Sequence, residues 1–172
     1  CNGQTPAITL TNPNSVTGTK YIWTVSRTNV TGASNQATPV VASAINTPLS
    51  LVTTNLPGQV TYTIQAVANG CISASQTIVV DINPIPNVAA TPASLTICSG
   101  TTTSIALSNP NNVAGTTYSW TATPTNVTGA SNGTGNLISQ NLSSTSGNTV
   151  GTVVYQITPS ANGCSAAAPI SV

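Results

Sequence analysis

The sequence predicts an all-β fold made of two tandem β-sandwich modules, and three observations carry that prediction. Residues 1–35 recur at residues 98–132 with 22 identical positions, at a constant offset of 97 and without a gap. A long internal repeat of this kind marks a tandem architecture. Thr, Val and Ile together supply roughly a third of the 172 residues, the β-branched enrichment that suits a pleated, half-buried surface. Short alternating apolar segments are separated throughout by Gly, Pro and Asn, the punctuation of an antiparallel sandwich rather than of helices.

A second block recurs at an offset of 93, VTYTIQAVANGC (60–71) matching VVYQITPSANGC (153–164), so the copies differ in length by four residues in one loop. The modules are expected at 1–83, with the first strand missing, and at 84–172, with the last strand truncated. Copy two is preceded by PIPNVAATPASLTI whereas copy one starts at Cys1, and the chain stops at Val172 where copy one runs on through VDINP. This frame reads as a piece of a longer secreted array. It leaves open an exchange of the first strand between chains.

In copy one, Ile8 and Leu10 alternate with polar residues as a half-buried strand does. Asn12-Pro13-Asn14 then interrupts any helix and opens a loop. Tyr21 and Trp23 fall in phase on the next strand, residues 49–53 form another, and Tyr62 and Ile64 mark a third. Asn69-Gly70 supplies the pair that a type I′ hairpin turn favours, and residues 77–82 return along it. Asn83-Pro84-Ile85-Pro86 forms the junction, where proline favours extended backbone and predicts a short, semi-rigid connector and a stiff rod.

Copy two repeats the order. Residues 104–108 place Ile105 and Leu107 on one face, and residues 117–123 place Tyr118, Trp120 and Ala122 on one face against Ser119, Thr121 and Thr123. A turn-rich stretch leads to a strand over 137–142, then to one over 153–158 with Tyr155 and Ile157 in phase. Asn162-Gly163 supplies the second hairpin turn, and the last strand is expected over 169–172.

Composition excludes several functions. Lys20, Arg27 and Asp81 carry the only side-chain charges, and there is no Glu or His, where about a quarter of residues is usual. Two basic residues cannot release counterions from nucleic acid or hold an anionic membrane surface. General acid–base work needs His or paired carboxylates, and no base is present to activate the many Ser and Thr hydroxyls, so no enzyme is expected. No cofactor or metal is expected either, and the one calcium chemistry left open is a cage of backbone and Asn carbonyls. No apolar run reaches the roughly 18 residues that would cross a bilayer, so this segment does not insert in a membrane.

Cys1, Cys71, Cys98 and Cys164 occupy two matched repeat positions. An even, module-wise count in small charge-poor domains reads as disulfides and an oxidising compartment. Of the three connectivities, Cys1–Cys71 with Cys98–Cys164 lets each module fold without its neighbour. A closed loop of about 70 residues would contribute on the order of 4 kcal/mol in the chain-entropy model. Free buried thiols are the alternative.

The Tyr-x-Trp pairs, Tyr21 with Trp23 and Tyr118 with Trp120, could stack on sugars, but their phase with other apolar residues favours core packing. The Asn-x-Thr/Ser triplets at Asn29, Asn126, Asn132 and Asn141 match glycan acceptors, yet such triplets arise by chance in an Asn- and Thr-rich chain. NVTGASN is kept whole in both copies. A repeated binding site would therefore sit on that loop, at Asn29, Thr31 and Asn35 in copy one and at Asn126, Thr128 and Asn132 in copy two.

Thr-Ile-Cys-Ser-Gly (96–100), Tyr-Ser-Trp (118–120), Asn-Val-Thr-Gly-Ala-Ser-Asn (126–132) and Ala-Asn-Gly-Cys (161–164), with an Asn-Pro junction, form a set. It resembles the PKD-like, immunoglobulin-like repeats of giant Bacteroidota cell-surface adhesins, among them the SprB-type gliding-motility adhesins, over essentially the whole chain. The Gly-Asp-Gly turn of the archetypal PKD motif is absent. The resemblance implies tandem immunoglobulin-like sandwiches, export by type IX secretion, and a filament on the outer surface of a Gram-negative bacterium used in adhesion or gliding. Composition and repeat together point to a stiff spacer, whose partners are further copies of the same repeat. The second reading is a module that binds carbohydrate or abiotic surfaces by avidity across repeats.

Overall fold

In the computed structural model, which describes residues 1–166 and 170–172, every regular element among the described residues is a β-strand. The chain divides into two compact units, Cys1–Pro84 and Ile85–Val172. Each is an immunoglobulin-like sandwich with its own core.

The scaffold of unit 1 is the strand Gly58–Ala68 (GQVTYTIQAVA), which alternates burial along its first half because β-branched and aromatic residues stand at every second position. It pairs antiparallel with Lys20–Thr28 on one side, Tyr21 facing Ala66 and Trp23 facing Ile64, and with Gln76–Ile82 on the other, Gly58 facing Ile82. Gln36–Val40 extends the sheet beyond Lys20–Thr28. Short strands close the second layer: Ile8–Thr9 pairs with Ala44–Ile45, and Val30–Thr31 with Ser50–Leu51. Val60, Tyr62 and Leu49 are at most 1 % exposed at the centre of the core.

Unit 2 is built the same way around Thr152–Ala161, flanked by Thr117–Thr125 and by Ile170–Ser171. Opposite lie Ala89–Thr91, Ile105–Ser108 and Leu137–Ile138, in that order across the sheet. Ile138 and Ile157 are 0 % exposed, and Trp120 is 7 % exposed among Ile105, Leu107 and Tyr155. Core packing is thus what Trp120 does, while Trp23 packs half-buried against the core of unit 1.

Both Asn-Gly pairs are hairpin turns: Asn69 and Gly70 have φ of 51° and 77°, Asn162 and Gly163 of 49° and 78°, as a type I′ turn requires. They join Ala68 to Cys71 and Ala161 to Cys164. The strand expected over 137–142 is instead two, Leu137–Ile138 on the Ile105–Ser108 sheet and Asn141–Ser144 between Thr101–Thr102 and Val127–Thr128. Gln140 causes the break, because its backbone N–H is drawn to the Thr103 hydroxyl and its side chain to Ser131 and Tyr155. Residue 169, where the last strand was expected to begin, lies outside the described residues.

Candidate functional site

The NVTGASN loop uses most of its polar groups inside its own module. Asn29 sits at the end of Lys20–Thr28 with φ of 57°, and Asn126 at the end of Thr117–Thr125 with φ of 56°, a left-handed conformation that Asn tolerates better than other side chains. Asn29 Nδ2 donates to the carbonyls of Thr53, Leu56 and Pro57 at 3.0–3.1 Å, and its Oδ1 accepts from Thr53 N–H at 2.7 Å. One side chain therefore holds the whole 53–57 loop. Asn126 contributes its carbonyl to Thr145 N–H at 3.0 Å.

The other loop residues act likewise. Thr31 and Thr128 hydroxyls donate to the carbonyls of Ser50 and Ser143. Asn35 Oδ1 accepts from Val25 N–H at 2.7 Å, and Asn132 Oδ1 from Ala122 N–H at 2.9 Å. The Trp23 and Trp120 indoles donate to Ser34 and Ser131 carbonyls at 3.1 and 3.3 Å, and the Arg27 guanidinium donates to the Ala33 carbonyl. Trp and loop form one unit: the ring packs on the core, and its N–H anchors the loop across the sheet edge. Sequence reasoning found these residues as a candidate binding loop, and the structure places them as a fastener between two strands.

Beside that fastener in unit 2 lies a shallow depression of about 530 Å³ on the outer face of the sheet, lined by Trp120, Thr121, Asn132, Gly133, Gln156 and Thr158 among others. A Cβ on Gly133 would lie 2.5 Å from Trp120 Cζ2. Backbone at Gly133 therefore covers the indole edge, and the depression offers amides and hydroxyls rather than an open aromatic face.

The cysteines correct the expected pairing. Cys1 and Cys164 are disulfide-bonded, whereas Cys71 and Cys98 are exposed free thiols. The reason is topological. Asn2 N–H bonds the Asn83 carbonyl at 2.9 Å, which places Cys1 at the Gly58–Ile82 end of unit 1. Cys71 pairs with Ala68 at the opposite end of an 11-residue strand, and about 3.3 Å per residue puts that end about 30 Å away. Unit 2 repeats the arrangement: Ser144 N–H bonds Ser99 Oγ near the Thr152 end, and Cys164 faces Ala161 at the other. A disulfide needs Cα atoms roughly 4.4–6.8 Å apart. Neither Cys1–Cys71 nor Cys98–Cys164 meets that.

Burial raises the pKa of Tyr62, Tyr118 and Tyr155 above the ordinary phenol value, by desolvation. Tyr155 OH donates to Gln140 Oε1 at 2.8 Å, but the buried Tyr62 OH has no partner among the described residues. These are core phenols, far from acid–base chemistry at neutral pH.

No curated protein and no solved structure matches the chain. A family model described as a PKD-like domain matches residues 1–86 and again residues 95–170. Such domains are generally extracellular structural or adhesive repeats and are typically non-catalytic. The disulfide-bonded Cys1 and Cys164 agree with that setting. With one match on each sandwich, covering most of the chain, this protein belongs to the PKD-like domain family as two tandem copies.

Proposed function

We propose that this chain is a structural repeat segment of a long extracellular adhesin or filament, a spacer that holds a distal binding region away from the surface of a Gram-negative bacterium in adhesion or gliding. The observation that carries the reading is how the chain threads unit 2. It enters at one end, where Asn87 N–H bonds Asn111 Oδ1. The last strand runs toward the other end, Ile170 facing Ile157 and Val172 bonded to Tyr155. Entry and exit at opposite ends suit a module repeated in series, and a 10-residue central strand makes each module about 30 Å long. The most faithfully repeated loop fastens strands together, which is what a mechanical element needs. The cell surface, type IX export and a gliding role rest on the resemblance to Bacteroidota adhesin repeats.

Stretching the chain between handles at its two ends, under reductant so that the disulfide-bonded Cys1 and Cys164 do not shunt the load past the folded residues, tests this. We expect two discrete unfolding events of similar length; extension at low force without discrete events overturns the spacer. A carbohydrate- or surface-binding reading draws on the polar depression beside Trp120. Glycan arrays and abiotic surfaces probed at high micromolar protein should show no binding, and saturable binding lost in Gln156→Ala would favour that second reading instead.

A further inference from the structure

We propose that Cys71 and Cys98 are attachment points for further copies of the repeat, Cys98 of one copy forming a disulfide with Cys71 of the next. The inference rests on the spacer reading only for the identity of the partner. Pairing inside a module is excluded by distance, as shown above. The four cysteines fall on two repeat positions, a first (Cys1, Cys98) and a second (Cys71, Cys164). Those bonded are one of each, Cys1 and Cys164. Those left free and exposed are also one of each, Cys98 and Cys71.

The surface around Cys71 provides a second, independent observation. At the same repeat positions unit 2 buries what unit 1 exposes: Val113 is 2 % exposed against 41 % for Val16. Asn111 takes the Asn87 N–H at 2.9 Å and gives its own amide to the Ile85 carbonyl at 3.0 Å, so an extended segment lies over that end of unit 2. Its counterpart Asn14 is exposed, as is Ile72 at 61 %. The end of unit 1 that carries Cys71 is thus built like one that is covered in unit 2. Cys98 in turn lines a groove of about 630 Å³ with Leu95 and Val150, themselves 43 % and 87 % exposed. An apolar end bearing a first-position thiol and an apolar end bearing a second-position thiol are complementary in a head-to-tail, non-closing manner.

The bond forms by thiol–disulfide exchange with a small disulfide of the glutathione class. Cys98 thiolate takes one glutathionyl group and releases one glutathione thiolate. Cys71 thiolate of the next copy then attacks the Cys98 sulfur and displaces the second. Two protein thiols lose two protons and two electrons, and one oxidised glutathione becomes two reduced ones.

The test incubates the 172-residue chain with oxidised and reduced glutathione and follows it by non-reducing electrophoresis, intact mass and peptide mapping. We expect a ladder of covalent oligomers in steps of 17.1 kDa, collapsed to monomer by reductant, with the linking peptide joining Cys71 to Cys98. Cys71→Ser and Cys98→Ser should each lose the ladder and stay monomeric, and an equimolar mixture of the two should stop at a dimer. The proposal is overturned if the wild type remains a monomer with glutathione on both thiols. It is equally overturned if either variant alone dimerises as well as the mixture does, or if mapping finds Cys71 joined to Cys1. A chain that stays monomeric yet unfolds in two discrete steps under load removes the cross-link and leaves the spacer standing.

Discussion

Tyr62 and Tyr155 occupy the same repeat position, yet their hydroxyls meet different fates. Gln140 Oε1 accepts a hydrogen bond from the Tyr155 hydroxyl, and the same side-chain amide clasps Ser131 through both its oxygen and its nitrogen. In unit 1 the glycine equivalent to the one that meets Asn141 in unit 2 meets Pro48, so Thr47 stands where Gln140 would, too short to reach, and the buried Tyr62 OH is left without a partner among the described residues. An unmade buried hydrogen bond costs about 1–3 kcal/mol, whereas a made one contributes about 1. Tyr155→Phe should therefore destabilise by about 1 kcal/mol, and Tyr62→Phe should be neutral or stabilise by up to about 1 kcal/mol. Urea midpoints of the two variants read this directly, and a larger loss for Tyr62→Phe would refute the account. The sequence marks both tyrosines as in-phase core residues, but not the difference between them. That difference depends on a loop residue whose alignment between the copies only the fold defines.

At the scale of elements, the fastening loop depends on close approach of backbone to backbone. Gly32 and Gly129 have φ of 98° and 89°, and a Cβ there would lie 2.2 Å from the Pro48 carbonyl oxygen and 2.0 Å from that of Asn141. Gly129→Ala should cost more than about 2 kcal/mol, since it combines backbone strain with a clash that no side chain can relieve. Gly163→Ala, in a hairpin turn where an added Cβ would meet no atom of the described residues within 4 Å, should cost only the strain, about 1 kcal/mol. Equal losses in thermal unfolding would show that the loop is not held as described. The long strands and both Asn-Gly turns were legible in the sequence because alternation and turn chemistry are local. The loop's role was not, because Asn29 finds its partners 24 to 28 residues ahead. The cysteine pairing failed for the same reason: matched spacing says nothing about which end of a strand each residue occupies.

For the whole molecule, the near absence of charge sets how stability responds to solution conditions. There is no His or Glu, and Asp81 is the one acidic side chain, hydrogen-bonded to Gln59 on the exposed sheet at 2.8 Å. Few groups therefore couple folding to pH between the carboxylate and phenol ranges, and few exposed charges are there to be screened by salt. The phenols change this at alkaline pH. Burial raises Tyr62, Tyr118 and Tyr155 above the ordinary phenol value by desolvation, so at alkaline pH the folded state holds protons that the unfolded state has released. Stability is then complete below pH 10.0 and falls as pH rises past it, because unfolding frees those protons. With Cys71 and Cys98 alkylated to prevent thiol–disulfide exchange, urea midpoints should agree at pH 5, 7 and 9, at low and high salt alike, and drop above about pH 10. A midpoint that moves between pH 5 and 7 would require a titrating group that this sequence does not contain. Insensitivity of this kind is what an extracellular spacer exposed to changing salt and pH requires, and it follows from composition rather than from any single contact.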